Sequence, residues 1–350
     1  MTRPRILFAA NLHWNAGSSH ILAQYAAAAP DAGCEVGVSA QLSRFDDQVA
    51  SYLPVITDLG WATHLVLVFE GRQFLTAERL SLCERIPRHR RAIIDADGHW
   101  GAMVKAGADS SAGAYPAESW RHLYTSLSDL VLQPKLAGEL PAGAQAFSYF
   151  GMPLPHWDGE ARPAGDMPFQ VQYIGSNWWR WNALTSLVQA AHGASPPIRR
   201  MRVCGRWWDG QTCPGHETAT VSEPGWLRRH GVVLEPPVPF GRVVSEMARA
   251  AISPVLVRPV LAALGFATPR MFETVAAGSL PAFTDDVICL RQLYDLEADA
   301  FRLGDDPGDT LSRMLRDHRL YRRQLVRLRA RLQHEFAYPK LLATLLGIIG

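Results

Sequence analysis

Residues 268–286, TPRMFETVAAGSLPAFTDD, decide how the rest of the chain is read. They give a helix start, a helix, a turn and a strand in succession. The Thr268 hydroxyl can cap a helix N-terminus, and Pro269 suits the first helical position, where its missing N–H would have had no partner. Gly278 stops the helix, and residues 280–284 follow as a strand. Arg270 and Glu273 are three apart and share a face, while Phe272, Val275 and Ala276 point toward a sheet. Unpaired N–H groups, an arginine in the first turn and a carboxylate one turn later are suited to hold a diphosphate and a sugar hydroxyl together. The same residues also fit a surface helix whose Arg270–Glu273 pair contributes ~0.3 kcal/mol.

Working outward, the chain has 350 residues, 48% of them hydrophobic and 19% charged. That length favours two domains, and the composition is globular. A net charge of +2 gives no global argument for a nucleic-acid or membrane partner. The five cysteines are scattered and form no C-x-x-C pair, so they read as reduced thiols with no metal site and no disulfide framework. No apolar run reaches the ~20 residues that span a bilayer, and a cytoplasmic protein is expected.

Apolar runs alternate with helical segments along the first half, at residues 5–10, 35–40, 64–69, 92–94, 130–132 and 146–149. The alternation predicts a parallel sheet covered on both faces. Ligands bind such sheets at the carboxyl ends of the strands, where the polar clusters holding His13, Glu70 and Asp97 fall. Each is equally well a loop or turn residue, Asp97 because it precedes a glycine. The stretch GMPLPHWDGEARPAGDMP, residues 151–168, is rich in proline and glycine and reads as the linker.

The pattern then restarts. A strand at 169–174 ends in Gly175-Ser176-Asn177 and leads into a helix from about Arg180, and a strand at 201–204 ends in Gly205-Arg206-Trp207-Trp208. From 309 onward the chain is helical, broken near Pro339, with arginines among leucines. Those arginines, like Arg88-His89-Arg90-Arg91, read as solvated faces of packed helices. Trp178, Trp179 and Trp181, and Trp207 with Trp208, crowd two strand ends, as ligand-stacking faces or as packing.

Arg270-x-Phe272-Glu273 with Ala277-Gly278, together with Tyr173-Ile174-Gly175, Arg180 and Gly205-Arg206-Trp207, resembles the GT-B glycosyltransferases over residues 169–346. The subset it resembles is the group-1-like one typified by the CgeB spore-maturation proteins. The resemblance implies an α/β GT-B fold of two Rossmann-like, doubly wound domains facing each other across a cleft. The boundaries expected are an acceptor-binding domain at 1–155, a linker at 156–168 and a nucleotide-sugar-binding domain at 169–320. Helices at 321–350 would follow, with a return to the first domain open.

The activity implied is transfer of a sugar from a UDP- or GDP-sugar to an acceptor, either a small molecule or a glycan. Glu273 would accept from the ribose hydroxyls, and Arg270 with Thr268 and its helix start would face the diphosphate. Gly175, Asn177, Arg180 and Arg206 complete the implied donor set. Positive charge of this kind replaces a divalent cation, so no metal and no cofactor are expected. Many retaining relatives carry two glutamates with seven residues between them; Glu273 would be the second, and this chain has Gly265 in place of the first, which leaves the stereochemistry open. An inverting enzyme needs a general base, for which His13 comes first, then Asp97 and Glu70. A nucleotide-sugar epimerase of the same fold, and a ligand-binding protein without catalysis, are the alternatives; the oligomeric state is not legible.

Overall fold

A computed structural model of the chain describes residues 3–12, 17–45, 47–69, 76–101, 117–154 and 164–350. The described residues form two compact units: those up to Leu154 with Glu335–Gly350, and those from 164 to His334. No helix among them is long and apolar enough to cross a membrane.

The first unit contains strands β1 (Arg5–Leu12), β2 (Glu35–Ser39), β3 (Arg44–Phe45), β4 (Val55–Ile56), β5 (His64–Val68), β6 (Arg91–Ile94), β7 (Val131–Gln133) and β8 (Ala144–Ala146). They lie in the order β4-β2-β1-β5-β6-β7-β8, with β3 paired to β1. Every pairing is parallel. All five residues of β5 are buried, as are all four of β6, because helices cover both faces and leave no polar side to alternate with. The core joins Leu7, Leu65, Leu67 and Phe69 to Trp120 and Tyr124 of the helix Ala117–Leu127. The last strand lies earlier than its apolar run: residues 144–146 pair with β7, while Phe147, Tyr149 and Phe150 are buried beyond it.

Two basic stretches are less solvated than their composition predicts. Arg91 opens β6 and is buried, with its guanidinium donating to the carbonyls of Ile86 and Leu127. In the tail, Arg322 is buried and donates Nη1 to Gly278 O at 2.6 Å. Arginine is useful there because its long stem packs while its fork satisfies carbonyls at chain ends.

The tail itself is three helices, Pro307–Arg316, His318–Glu335 and Tyr338–Ile349. The last belongs to the first unit. There the Tyr338 ring meets Tyr25 edge-on with centroids 5.0 Å apart, and Gly151 N donates to Tyr338 Oη at 3.3 Å. A side chain at Gly151 would strike the Phe336 carbonyl, so the close approach depends on glycine.

The second unit holds β9 (Phe169–Ile174), β10 (Met201–Cys204), β11 (Val232–Glu235), β12 (Ala250–Pro254) and β13 (Leu280–Ala282). Their order is β11-β10-β9-β12-β13, again all parallel. Pro281 is tolerated because β13 is an edge strand with one neighbour. The strand order reverses direction at β9, which makes the carboxyl end of β9 the switch point where open α/β sheets bind ligands.

Candidate functional site

The helix Pro269–Ala277 begins at that switch point, where Arg270 in its first turn bonds the end of β9, and ends at Gly278, whose φ of 71° is the left-handed stop that glycine adopts without strain. Met271 through Ala277 are all buried. Four further bonds anchor it: Tyr294 Oη donates to Met271 O at 2.6 Å, Arg322 donates to Gly278 O, and the Ser279 hydroxyl lies 2.9 Å from Ala250 O and from Ser253 Oγ. A cation at the carboxyl end of the helix also opposes its dipole. Thr268 occupies the N-cap position with extended backbone, but its hydroxyl makes no capping bond. The Thr268 carbonyl does that work instead, accepting from Met271 N at 3.1 Å.

At the start of this helix Arg270 spans two elements. Its Nε donates to Ile174 O, the last carbonyl of β9, at 2.7 Å, and its Nη1 pairs with Glu273 Oε2. Glu273 is only 4% exposed. A pair with its carboxylate held this far from water is not the surface ion pair that the sequence alone also allows; removing Arg270 would leave the Glu273 charge buried without its partner.

The neighbouring loop is equally ordered. Gly205 sits against Gly175, and a Cβ on Gly205 would collide with the Gly175 carbonyl. Trp208 Nε1 donates to that carbonyl at 2.7 Å. Asn177 is fully buried: its Nδ2 donates to Val221 O at 2.7 Å and Trp207 O at 3.3 Å, and its Oδ1 accepts from Arg180 N at 3.3 Å. Asn177 therefore fixes the loop with its side chain already committed. Arg180 is half-buried and donates Nε to Leu256 O at 2.8 Å and Nη1 to Ser176 O at 3.2 Å. It clasps the loop after β9 to the segment after β12. Gly175, Asn177, Arg180, Arg270 and Glu273 thus gather around the end of β9, while Arg206 is exposed at the end of β10.

Of the three base candidates, His13 and Glu70 lie outside the described residues. Asp97 follows β6 in the first unit and is half-buried. Its turn is organised by Asp95, which is fully buried and accepts from His99 N, Trp100 N, Tyr124 Oη and Gln133 Nε2 at 2.7 to 2.9 Å. Four donors satisfy a buried carboxylate that would otherwise be costly to desolvate. His99 stacks on Trp120 with centroids 4.0 Å apart and Nε2 4.0 Å from Asp97 Oδ2, and both its buried ring nitrogens lack hydrogen-bond partners among the described residues. The signal for the role of Asp95 was its place at the strand end, with two backbone N–H groups four and five residues on.

The class of protein that this fold defines is the GT-B one, two parallel Rossmann-like sheets in separate units. The alpha-glucosyltransferase AGT in complex with UDP is similar over 100% of both chains, with 9% identity and a TM-score of 0.63. A DNA-modifying beta-glucosyltransferase, described with and without uridine diphosphoglucose, is 11% identical over 99% of both chains with a TM-score of 0.61. The T4 phage enzyme BGT with UDP-glucose is 12% identical over 99% of both chains with a TM-score of 0.57. Residues 180–347 match a family model described as glycosyl transferase-like. No curated protein matches the sequence. The family match and the fold together support a glycosyltransferase.

Proposed function

We propose that the chain transfers a sugar from a UDP-sugar, or else a GDP-sugar, to an acceptor, with the donor held by the second unit. The observation that carries this reading is Arg270, bonded to the last carbonyl of β9 and paired with the buried Glu273 at the sheet's switch point. In this reading Glu273 exchanges that partner for ribose hydroxyls, which frees the guanidinium for the diphosphate. UDP in the similar AGT and UDP-glucose in the similar BGT favour uridine. The charge on the leaving group would be met by Arg270 and its helix start, so transfer needs no divalent cation. BGT has also been described with UDP and Mn2+, so activity is to be compared with chelator and with Mn2+.

Gly265 caps the helix Pro259–Leu264 with a φ of 67°, a left-handed backbone that a glutamate would adopt only with strain. That favours inversion over retention, with Asp97 as the general base. The Arg-x-Phe-Glu helix and arginine-rich tail favour the CgeB-like subset, and five free, buried thiols favour the cytoplasm. Some similar enzymes act on or bind DNA, so duplex DNA joins glycans and small molecules in the acceptor screen, although the net charge argues for the latter.

Calorimetry with UDP and UDP-glucose tests the donor site: Glu273→Ala should weaken both at least about tenfold, the loss of about one charge-assisted hydrogen bond. Unchanged affinity would remove the site assignment. With an acceptor found, Asp97→Asn should lower kcat by about 10²–10⁴-fold. Incubation of the donor alone, with the sugar recovered isomerised, would instead establish the epimerase. Nucleotide binding without transfer or hydrolysis would leave a ligand-binding protein.

A further inference from the structure

The loops leaving β9 and β10 carry an aromatic cluster that the diphosphate reading does not use. Trp178 is its centre, with ring centroids 5.2 Å from Trp179, 5.3 Å from Trp207 and 5.0 Å from His216. Trp208, the next residue along, is 2% exposed and serves as a post that bonds Gly175 O. Trp178, Trp179 and Trp207 are half-buried, each keeping part of its ring surface exposed.

Two of these rings stand on strained backbone. Trp179 has a φ of 54° and Trp207 a φ of 63°, in the left-handed region that bulky residues avoid. Surrounding bonds hold them there: Trp179 N donates to Ala219 O at 2.7 Å, Asn177 N to Arg206 O at 3.0 Å, and Asn177 Nδ2 to Trp207 O. Packing alone does not explain the arrangement, since indoles kept for the core would be buried as Trp208 is, on ordinary backbone. Strain that local structure maintains at aromatic rings still partly exposed, with the Arg258 guanidinium lying over Trp179, is the pattern of a ligand clamp. The loop that carries Trp178 begins at Gly175, next to the carbonyl that Arg270 bonds. A ligand with its anionic part at Arg270 would need a planar part to reach these rings.

We propose that Trp178 and Trp207 form a stacking platform for the base of the nucleoside diphosphate, and that this platform reads the base by its face. It rests on the nucleotide-sugar reading above and deepens it. Every base offers a similar π-face, so a platform of this kind tolerates different bases, whereas edge hydrogen bonds would select one. The donor site accordingly accepts guanosine as well as uridine diphosphates.

Calorimetry on the full chain with UDP, GDP and inorganic pyrophosphate tests this on wild type, Trp178→Ala and Trp207→Gly. Glycine relieves the positive φ at 207, which guards the second variant against misfolding. UDP and GDP should bind wild type within about tenfold of each other, and each variant should weaken both about tenfold, in line with stacking energies. Pyrophosphate affinity should not change. Nucleotide affinities indifferent to both substitutions, an equal loss for pyrophosphate, or a preference above about a hundredfold for one base would each overturn the platform while leaving the donor site standing. Failure of wild type to bind any nucleotide would overturn the donor reading and the platform together.

Discussion

Arg270 is where stability and chemistry meet in one side chain. It bonds a strand-end carbonyl and a carboxylate that is almost fully enclosed. Arg270→Ala would leave both groups without that partner, and breaking a buried pair from one side costs about 3–5 kcal/mol. At roughly 2–4 °C per kcal/mol for a unit of this size, a thermal melt should fall by on the order of 10 °C. Arg270→Lys should retain part of that stability yet lose nucleotide affinity, because an ammonium lacks the planar fork that serves both partners. A melt unchanged in Arg270→Ala would show that the pair contributes no more than a surface one. The sequence put the two charges on one helical face; it could not show that the face points inward.

At the scale of elements, the start of the helix His318–Glu335 carries a pH dependence. His318 is buried, and burial, followed by the positive charge of Arg322, pushes its pKa down from 6.5 to about 4, against a hydrogen bond with the Ala251 backbone that raises it. The folded state thus resists protonation that the unfolded chain accepts. Above pH 6.5 both are neutral and the stability is intact; as pH falls toward 4 the unfolded state takes up the proton first and stability is lost. The loss due to this group should be about 2 kcal/mol by pH 5 and about 3 kcal/mol once the folded pKa is passed. Urea unfolding at pH 7.5 and pH 5 should show that difference in wild type and a smaller one in His318→Gln. Equal pH slopes in the two proteins would remove His318 as the cause. The motif helix, meanwhile, was legible as a capped element down to its Pro269 start and Gly278 stop, but not its capping. Thr268 has the right residue type, and only the folded backbone shows its carbonyl in that role.

For the whole molecule, the last helix belongs with the first unit although it is the farthest from it in sequence. Tyr25, Gly151 and Met152 meet Tyr338 and Ala337. Deleting residues 335–350 should therefore uncover apolar surface on the first unit and lower its unfolding transition, while the second unit, which ends at His334, melts as before. Scanning calorimetry of the shortened chain reads the two transitions, and an equal fall in both would contradict the assignment. Tyr338→Phe, which loses the bond from Gly151 N and keeps the ring contact with Tyr25, should cost about 1 kcal/mol.

What the sequence determined by itself is local and periodic: two runs of parallel strands, glycine stops, and an arginine and glutamate one turn apart at a helix start. These follow from steric rules and hydrophobic spacing, which act between near neighbours. Tertiary structure decided the rest. Glu273 and Arg91 lie inside the protein, Asn177 spends its amide on loop carbonyls, and Trp179 and Trp207 stand on strained backbone. Burial and the choice of hydrogen-bond partner depend on residues tens of positions away, brought close only when the sheet closes, and no local pattern records them.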